Sequence, residues 1–330
     1  MSEATIYDVA QRAGVGIATV SRALRGSGSV RAETRERVLQ AARELNFTPS
    51  RLGVSLAEGR HAATGIVFPS LTGPYYAEVL LGFEEVCSEL GHSVIILSTQ
   101  GRSRVQEAIK ELAGRVDGMV VFGRTAPYDV VSELVAGGRP TVLLTRTPVA
   151  GADVVTSENA TSARLLAEHL LGHGHRRFAF LGGPSGGADV DERWSGVVAA
   201  LSDAGVPAPE AVQLTEYGVA AGHRAATLVL GRKQRPDVLV CAQDEIALGA
   251  LRAARELGLA VPEDVAVTGW DDIMAAEHAW PPLTTVRQPM RALGAAAARA
   301  LAELMSGART EPRHQILPTE LTVRASCGQH

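Results

Sequence analysis

Three groups of side chains in the sequence have types and spacings that could do chemistry. The first lies in TIYDVAQRAGVGIATVSRALRG (Thr5–Gly26), where two short helical patterns are joined by a Gly-Val-Gly turn. The second pattern is slim on its outward side, with Ile17, Ala18, Thr19, Ser21 and Arg22. Such a helix fits a DNA major groove about 12 Å wide, where an arginine can give two hydrogen bonds to one guanine. The second group is aromatic: Tyr75 and Tyr76 follow one apolar run, and Trp270-Asp271-Asp272 follows another, in a chain with only 4% aromatic residues. An aromatic face beside charged hydrogen-bonding groups suits a sugar or a nucleobase. The third group holds formal matches to catalytic and metal motifs. GPSGG (183–187) has the G-x-S-x-G spacing, with Ser185 in the nucleophile place, but the following glycines prolong a loop where that motif needs a tight strand-to-helix turn. His169, His173 and His175 lack the glutamate of H-E-x-x-H and sit beside Gly172 and Gly174, so they are expected simply to end a helix. No enzyme activity, cofactor or metal is expected.

The elements that must hold these groups fall into unlike parts. Residues 1–60 carry nine arginines against six acids, whereas residues 61–330 carry 23 basic side chains against 30 acids. A basic head on an acidic body is the footprint of a small nucleic-acid module on a larger domain. The body is long enough and, with 46% hydrophobic residues overall, apolar enough to build a sizeable core. There is neither a leader-like apolar run after Met1 nor a stretch of membrane-span length, and Cys87, Cys241 and Cys327 show neither disulfide nor metal spacing. A cytoplasmic location is expected.

In the head, Thr5 is a good N-cap with Asp8 three residues on. Ile6, Val9, Ala10 and Ala13 then share a helix face, Val20 and Leu24 face inward from the second helix, and Val38, Leu39, Ala42 and Leu45 from a third over roughly 32–45. After Pro49 a possible half-length helix covers 50–60. Beyond it, TGIVFPS, SVIILST, DGMVVFG and PTVLLTR, then RFAFLGG, DVLVCAQ and DVAVTGW, read as buried strands alternating with helices such as 77–90 and 102–112. That alternation predicts parallel, doubly wound sheets, and two runs of it predict two lobes with ligands at the carboxyl ends of the strands.

The motifs themselves carry a resemblance. The N-terminal run, with VRAETRERVLQAARELNFTPSRLGVSLAEGR after it, is similar to the DNA-binding and hinge region of the lactose-repressor (LacI/GalR) family. GIVFPSLTGPYYAEVLLGFEE, HLLGHGHRRFAFLGGP, ERWSGVVAAL, QDEIALGALRAARELGLAVPEDVAVTGWDD and PPLTTVRQP resemble that family's periplasmic-binding-protein-like core, in the same order. The resemblance implies a helix-turn-helix head at 1–46, a hinge at 47–61 and a two-lobed effector-binding and dimerisation domain at 62–330. It puts Ile17, Ala18 and Arg22 in the base-reading places. Thr5, Thr19 and Ser21 are expected on phosphates, fixing register. Arg51, Ser55 and Leu56 fall in the hinge, where the family wedges a leucine between base steps of the minor groove. Gly53 and Val54 depart from the pattern there, as does Gly16, where a serine commonly caps the reading helix. In the body the resemblance sets Arg193 and Asp271 as the pair gripping ligand hydroxyls, with Tyr76, Arg146, Tyr217 and Gln243 near the same cleft. Tyr75 and Trp270 join them as strand-end aromatics. The expectation is a regulator, most simply a repressor, acting as a homodimer on an approximately palindromic operator under a small effector. A sugar is the leading class of effector and a purine the alternative. A periplasmic solute-binding protein would share the two lobes, but not the head.

Overall fold

The computed structural model describes residues 4–26, 30–47, 61–123, 125–184 and 187–328. The hinge residues Arg51, Gly53, Val54, Ser55 and Leu56, and Ser185 of the GPSGG run, lie outside the described residues. By internal contacts the chain divides into two compact units, Met1–Ala62 and Ala63–His330.

The first unit holds α1 (Ile6–Ala13), α2 (Ile17–Arg25) and α3 (Ala32–Glu44). The Thr5 backbone N–H and hydroxyl both donate to Asp8 Oδ2 at 2.7 Å, and the Asp8 N–H returns to Thr5 Oγ1 at 3.4 Å, closing the expected capping box. Gly14 ends α1 at φ 65°, a left-handed turn that glycine adopts at little cost, and α2 starts three residues later. Val9, Ala13, Val20, Ala23, Val38 and Ala42 form the centre of a small core. Ala41 faces that core where Leu39 was expected; Leu39 is only half-buried. Arg12 bridges α1 to Glu44 of α3 at 2.7 Å and lowers the Glu44 carboxyl below its usual range.

The body has two sheets. In the first lobe, β1 (Ala63–Phe68), β2 (Ser93–Ser98), β3 (Gly118–Phe122), β4 (Thr141–Leu144), β5 (Asp153–Ser157) and β11 (His314–Leu317) lie in the order β2-β1-β3-β4-β5-β11, all parallel. In the second lobe, β6 (Phe178–Leu181), β7 (Glu210–Val212), β8 (Val238–Cys241) and β9 (Ala266–Thr268) lie parallel in the order β7-β6-β8-β9. All seven runs expected as strands are strands. The others were missed for visible reasons. β5 has only two apolar residues, Val154 and Val155, β7 is a short exposed edge and β11 a half-polar edge, while β10 (Thr285–Arg287) and β12 (Glu320–Thr322) are three-residue partners in an antiparallel pair with one apolar residue each.

Helices cover both faces of the first sheet. Pro74–Glu89 and Met290–Ser306 pack over Ile66, Val120 and Leu144, while Val105–Ala113 and Tyr128–Ala136 pack over Val67, Val121 and Leu143. The helix placed at 77–90 by sequence starts earlier, because Pro74 is suited to the first turn, where its missing N–H goes unneeded. Pro74–Glu89 and Met290–Ser306 touch through glycine. A Cβ on Gly82 would stand 1.9 Å from the Arg291 carbonyl oxygen, and one on Gly294 1.9 Å from that of Val79.

The chain passes between the lobes three times: from β5 into helix Ala160–Gly172, from β10 into helix Met290–Ser306, and from β11 into β12. Buried or half-buried polar contacts mark these passages. Ser157 Oγ donates to Gln288 Oε1 at 2.5 Å, and Thr319 Oγ1 donates to the Glu158 carbonyl at 3.0 Å.

Candidate functional site

The carboxyl ends of both sheets open onto one cavity of about 270 Å³. The first lobe contributes Tyr75 and Tyr76, on the opening turn of helix Pro74–Glu89, with Phe122 from the end of β3 and Arg146 after β4. The second contributes Arg193 from helix Ala188–Asp203, Tyr217 ahead of helix Val219–Leu230, Gln243 after β8, and Asp271 after β9. Sequence reasoning had chosen every one of these except Phe122, and the fold gathers them on one wall or another of the same space.

Arg193 is 3% exposed, and each of its three guanidinium nitrogens has a partner. Nε donates to Asn159 Oδ1 at 2.9 Å, one terminal nitrogen to the Ala242 carbonyl at 2.8 Å, and the other reaches Asp189 at 3.4 Å. Its central carbon stands 4.5 Å from the centroid of the Trp270 ring, a cation–π contact. Trp270 corrects an expectation. It does not line the cavity; it is 2% exposed, packed in the second lobe's core behind Arg193. An indole carries much apolar area, which the second lobe's core buries while one ring face keeps an electrostatic contact with the arginine.

Asp271 is also buried, and its backbone is held at φ 119°, a region that side-chain-bearing residues rarely adopt and that costs energy. Its N–H donates to the Val286 carbonyl at 2.9 Å, and its carboxylate accepts from Gln288 Nε2 at 2.7 Å. Burial pushes the carboxyl well above the usual carboxylate range, against the opposing pull of Arg193. The phenols respond to the same environment. Burial, then the negative charge of Asp271 and Asp189, raises Tyr76 to about 12 and Tyr75 still more clearly. Both remain O–H groups at neutral pH. Tyr76 and Phe122 stand edge-to-face at 5.3 Å, so the first lobe's side is an aromatic wall and the second lobe's side is charged.

Arg146 donates to the carbonyls of Gly123 and Ala126 at 3.1 and 2.6 Å, which steers it along the cavity edge; burial lowers its pKa. Tyr217 donates its hydroxyl to the Gly182 carbonyl at 2.5 Å. Gln243 precedes helix Asp244–Glu256 in an extended conformation, without capping it by its side chain. Two residues that hold the site were not singled out in the sequence: Asn159, which orients Arg193, and Gln288, which joins Asp271 to Ser157. Gln288 stood inside the PPLTTVRQP motif and could have been found there. Asn159 follows a strand that was itself missed.

In the head, Ile17, Ala18 and Arg22 are exposed on α2, with Ile17 41% exposed; Thr19 and Ser21 are half-buried. Arg22 Nε donates back to the Ala18 carbonyl at 3.1 Å, laying the guanidinium along the helix. Gly16 caps α2 without a side-chain hydrogen bond. Thr5 sits where its hydroxyl closes the cap of α1.

Residues 5–50 match the model of bacterial regulatory proteins of the lacI family, and residues 167–327 match the periplasmic binding protein-like domain. Relatives match along nearly the whole chain. The transcriptional regulator DegA of Bacillus subtilis is 31% identical over 98% of this chain and 97% of its own length. The transcriptional repressor PurR of Pasteurella multocida is 32% identical over 98% of each. Among solved structures, the lac repressor dimer bound to operator and an anti-inducer superposes with a TM-score of 0.89 at 29% identity, covering 99% of this chain and all of that one. The regulator CelR in complex with cellobiose gives 0.73 at 34% identity, covering 98% and 99%. The head, the paired sheets and the cleft between them therefore have a shared origin: the chain belongs to the lacI family of bacterial regulatory proteins.

Proposed function

We propose that the chain is a transcriptional repressor that binds an approximately palindromic operator as a homodimer and takes a sugar in the cleft between its lobes. The observation that carries this reading is the cavity itself: an aromatic wall on one lobe faces buried Arg193 and Asp271 on the other. A sugar ring offers apolar C–H faces to Tyr76 and Phe122 and hydroxyls to the charged pair. The cellobiose complex of CelR supports that class, as does a lacI-family regulator from Enterococcus faecium with bound ribose, with a TM-score of 0.74 at 25% identity over 81% of this chain and 98% of that one.

On the DNA side, Arg22 gives a guanine two hydrogen bonds, and exposed Ile17 and Ala18 meet thymine methyl groups. Thr5, Thr19 and Ser21 serve phosphates, and Arg51, Ser55 and Leu56 serve the minor groove in the hinge. A regulator of this kind works beside the chromosome, in the cytoplasm, and carries out no covalent step. Effector occupancy acts by favouring one angle between the lobes, and so one spacing of the two heads.

The test is a thermal-shift screen of sugars and nucleobases on the purified chain, followed by operator anisotropy with and without the hit. A sugar should raise the melting temperature of the wild type and not of Arg193→Ala or Asp271→Ala, and should change operator affinity. Equal shifts in all three proteins would remove the pocket assignment, and a nucleobase hit would replace the sugar. Arg22→Ala should lose roughly tenfold to a hundredfold of discrimination at a guanine position; unchanged preference would remove its base-reading role.

A further inference from the structure

The histidines expected only to end a helix meet a cysteine from the far end of the chain. His169 and His173 are four residues apart and so share one face of helix Ala160–Gly172, His173 being its C-cap. Their rings stand 4.8 Å apart, nearly perpendicular. Cys327, the last residue of the short 3₁₀ turn Ala325–Cys327, packs against them with Sγ 3.4 Å from His169 Nε2. One ligand atom from each of the three lies within 4.8 Å of the others. The spacing rule applied to the sequence could not find this cluster, because the thiol is separated from the histidines by most of the second lobe.

We propose that His169, His173 and Cys327 bind a divalent cation of the zinc class. Zinc bonds of about 2.0–2.1 Å to imidazole and about 2.3 Å to thiolate, set at the tetrahedral angle, put nitrogen and sulfur about 3.5 Å apart. The His169–Cys327 separation already has that value. The remaining separations, within 4.8 Å, close as the exposed His173 side chain shifts toward the ion. Two imidazoles and a thiolate select zinc or cobalt over magnesium or calcium, which prefer oxygen.

The surroundings fix the site from several sides. Thr284 Oγ1 lies 3.0 Å from the Cys327 sulfur, and His175 Nε2 lies 3.3 Å from the Cys327 carbonyl while its other nitrogen faces Asp237 at 3.9 Å. Gly328 passes so close that a Cβ there would stand 2.6 Å from His173 Nδ1. Burial keeps the Cys327 thiol protonated at neutral pH, with Thr284 opposing it. On binding, the S–H bond breaks, a sulfur–metal bond forms, and the proton leaves to water; a fourth position is filled by water or another donor of the chain. The ion clips the C-terminal turn to the helix that opens the second lobe.

The test uses the untagged full chain, stripped with a chelator and titrated with Co(II), then with Zn(II) as competitor. The wild type is expected to bind one equivalent of cobalt, with a thiolate-to-cobalt charge-transfer band and the visible bands of a tetrahedral ion, both removed by zinc. Cys327→Ser should abolish the charge-transfer band. His173→Asn changes an exposed side chain and should still fold; it should weaken binding at least tenfold and remove the zinc-induced rise in melting temperature. No charge-transfer band in the wild type would overturn the proposal and leave the cluster a hydrogen bond between imidazole and thiol. A band that survives in both variants would overturn it too, assigning the metal elsewhere.

Discussion

Arg193 shows how a single side chain can be right in sequence for only part of its reason. Its type and motif pointed to the cleft, but the partners that hold it, Asn159, the Ala242 carbonyl and the buried face of Trp270, come from three separate segments. An aromatic beside an aspartate reads in sequence as a ligand platform; only packing decides that Trp270 turns inward while Asp271 turns to the cavity. A neighbouring carboxyl carries a pH dependence. Asp244 is buried, accepting from Thr285 Oγ1 at 2.6 Å and the Ile273 N–H at 2.9 Å, and burial still pushes it up to about 7. An unfolded aspartate titrates near about 3.9. The folded chain therefore holds this proton more tightly, and the stability it contributes is fully present below about pH 4 and lost as pH rises through about 7. Denaturant midpoints at pH 5.5 and 8 should differ more for the wild type than for Asp244→Asn, which cannot titrate. An equal difference would assign the slope to other groups.

At the scale of elements, apolar strands and their alternation with helices were legible because a strand buried on both faces has little choice of residue. Strands without an apolar run were not: β10 and β12 carry one apolar residue each, Val286 and Leu321, too few for a pattern to register, although β10 carries the approach to Gln288. Helix contacts were equally silent. Nothing in the run around Gly82 announces that another backbone lies against it, yet a Cβ there would overlap the Arg291 carbonyl at 1.9 Å. That oxygen belongs to a helix backbone and cannot swing aside. Gly82→Ala should therefore part the two helices and cost at least about 1–3 kcal/mol, the range of core overpacking, read as a lower denaturant midpoint. Gly16→Ser should go the other way. Its site is open, its φ of −73° suits any residue, and a hydroxyl would cap α2, stabilising the head by a few tenths of a kcal/mol.

For the whole molecule, the division of charge was plain in the sequence and sets an expected behaviour of binding. Operator affinity should fall at least about a hundredfold between ~50 and ~200 mM salt, the effect of roughly four phosphate contacts returning their counterions. Affinity for an uncharged effector in the body should barely move over that range. Anisotropy and calorimetry at matched salt check both, and parallel slopes would contradict separate roles for head and body. How the lobes are joined was not legible, since each passage between them is only a few residues long. That joining governs the order in which the body can be finished. The apolar face of β1, β3 and β4 is complete once residue 144 has been made, but only one of its two covering helices, Pro74–Glu89, exists by then; the other, Met290–Ser306, is synthesised far later. At about 5–20 residues per second the gap is on the order of ten to thirty seconds. Throughout that interval a growing chain carries a half-covered sheet out of the ribosome, and the first lobe, though begun first, waits for a helix made after most of the second.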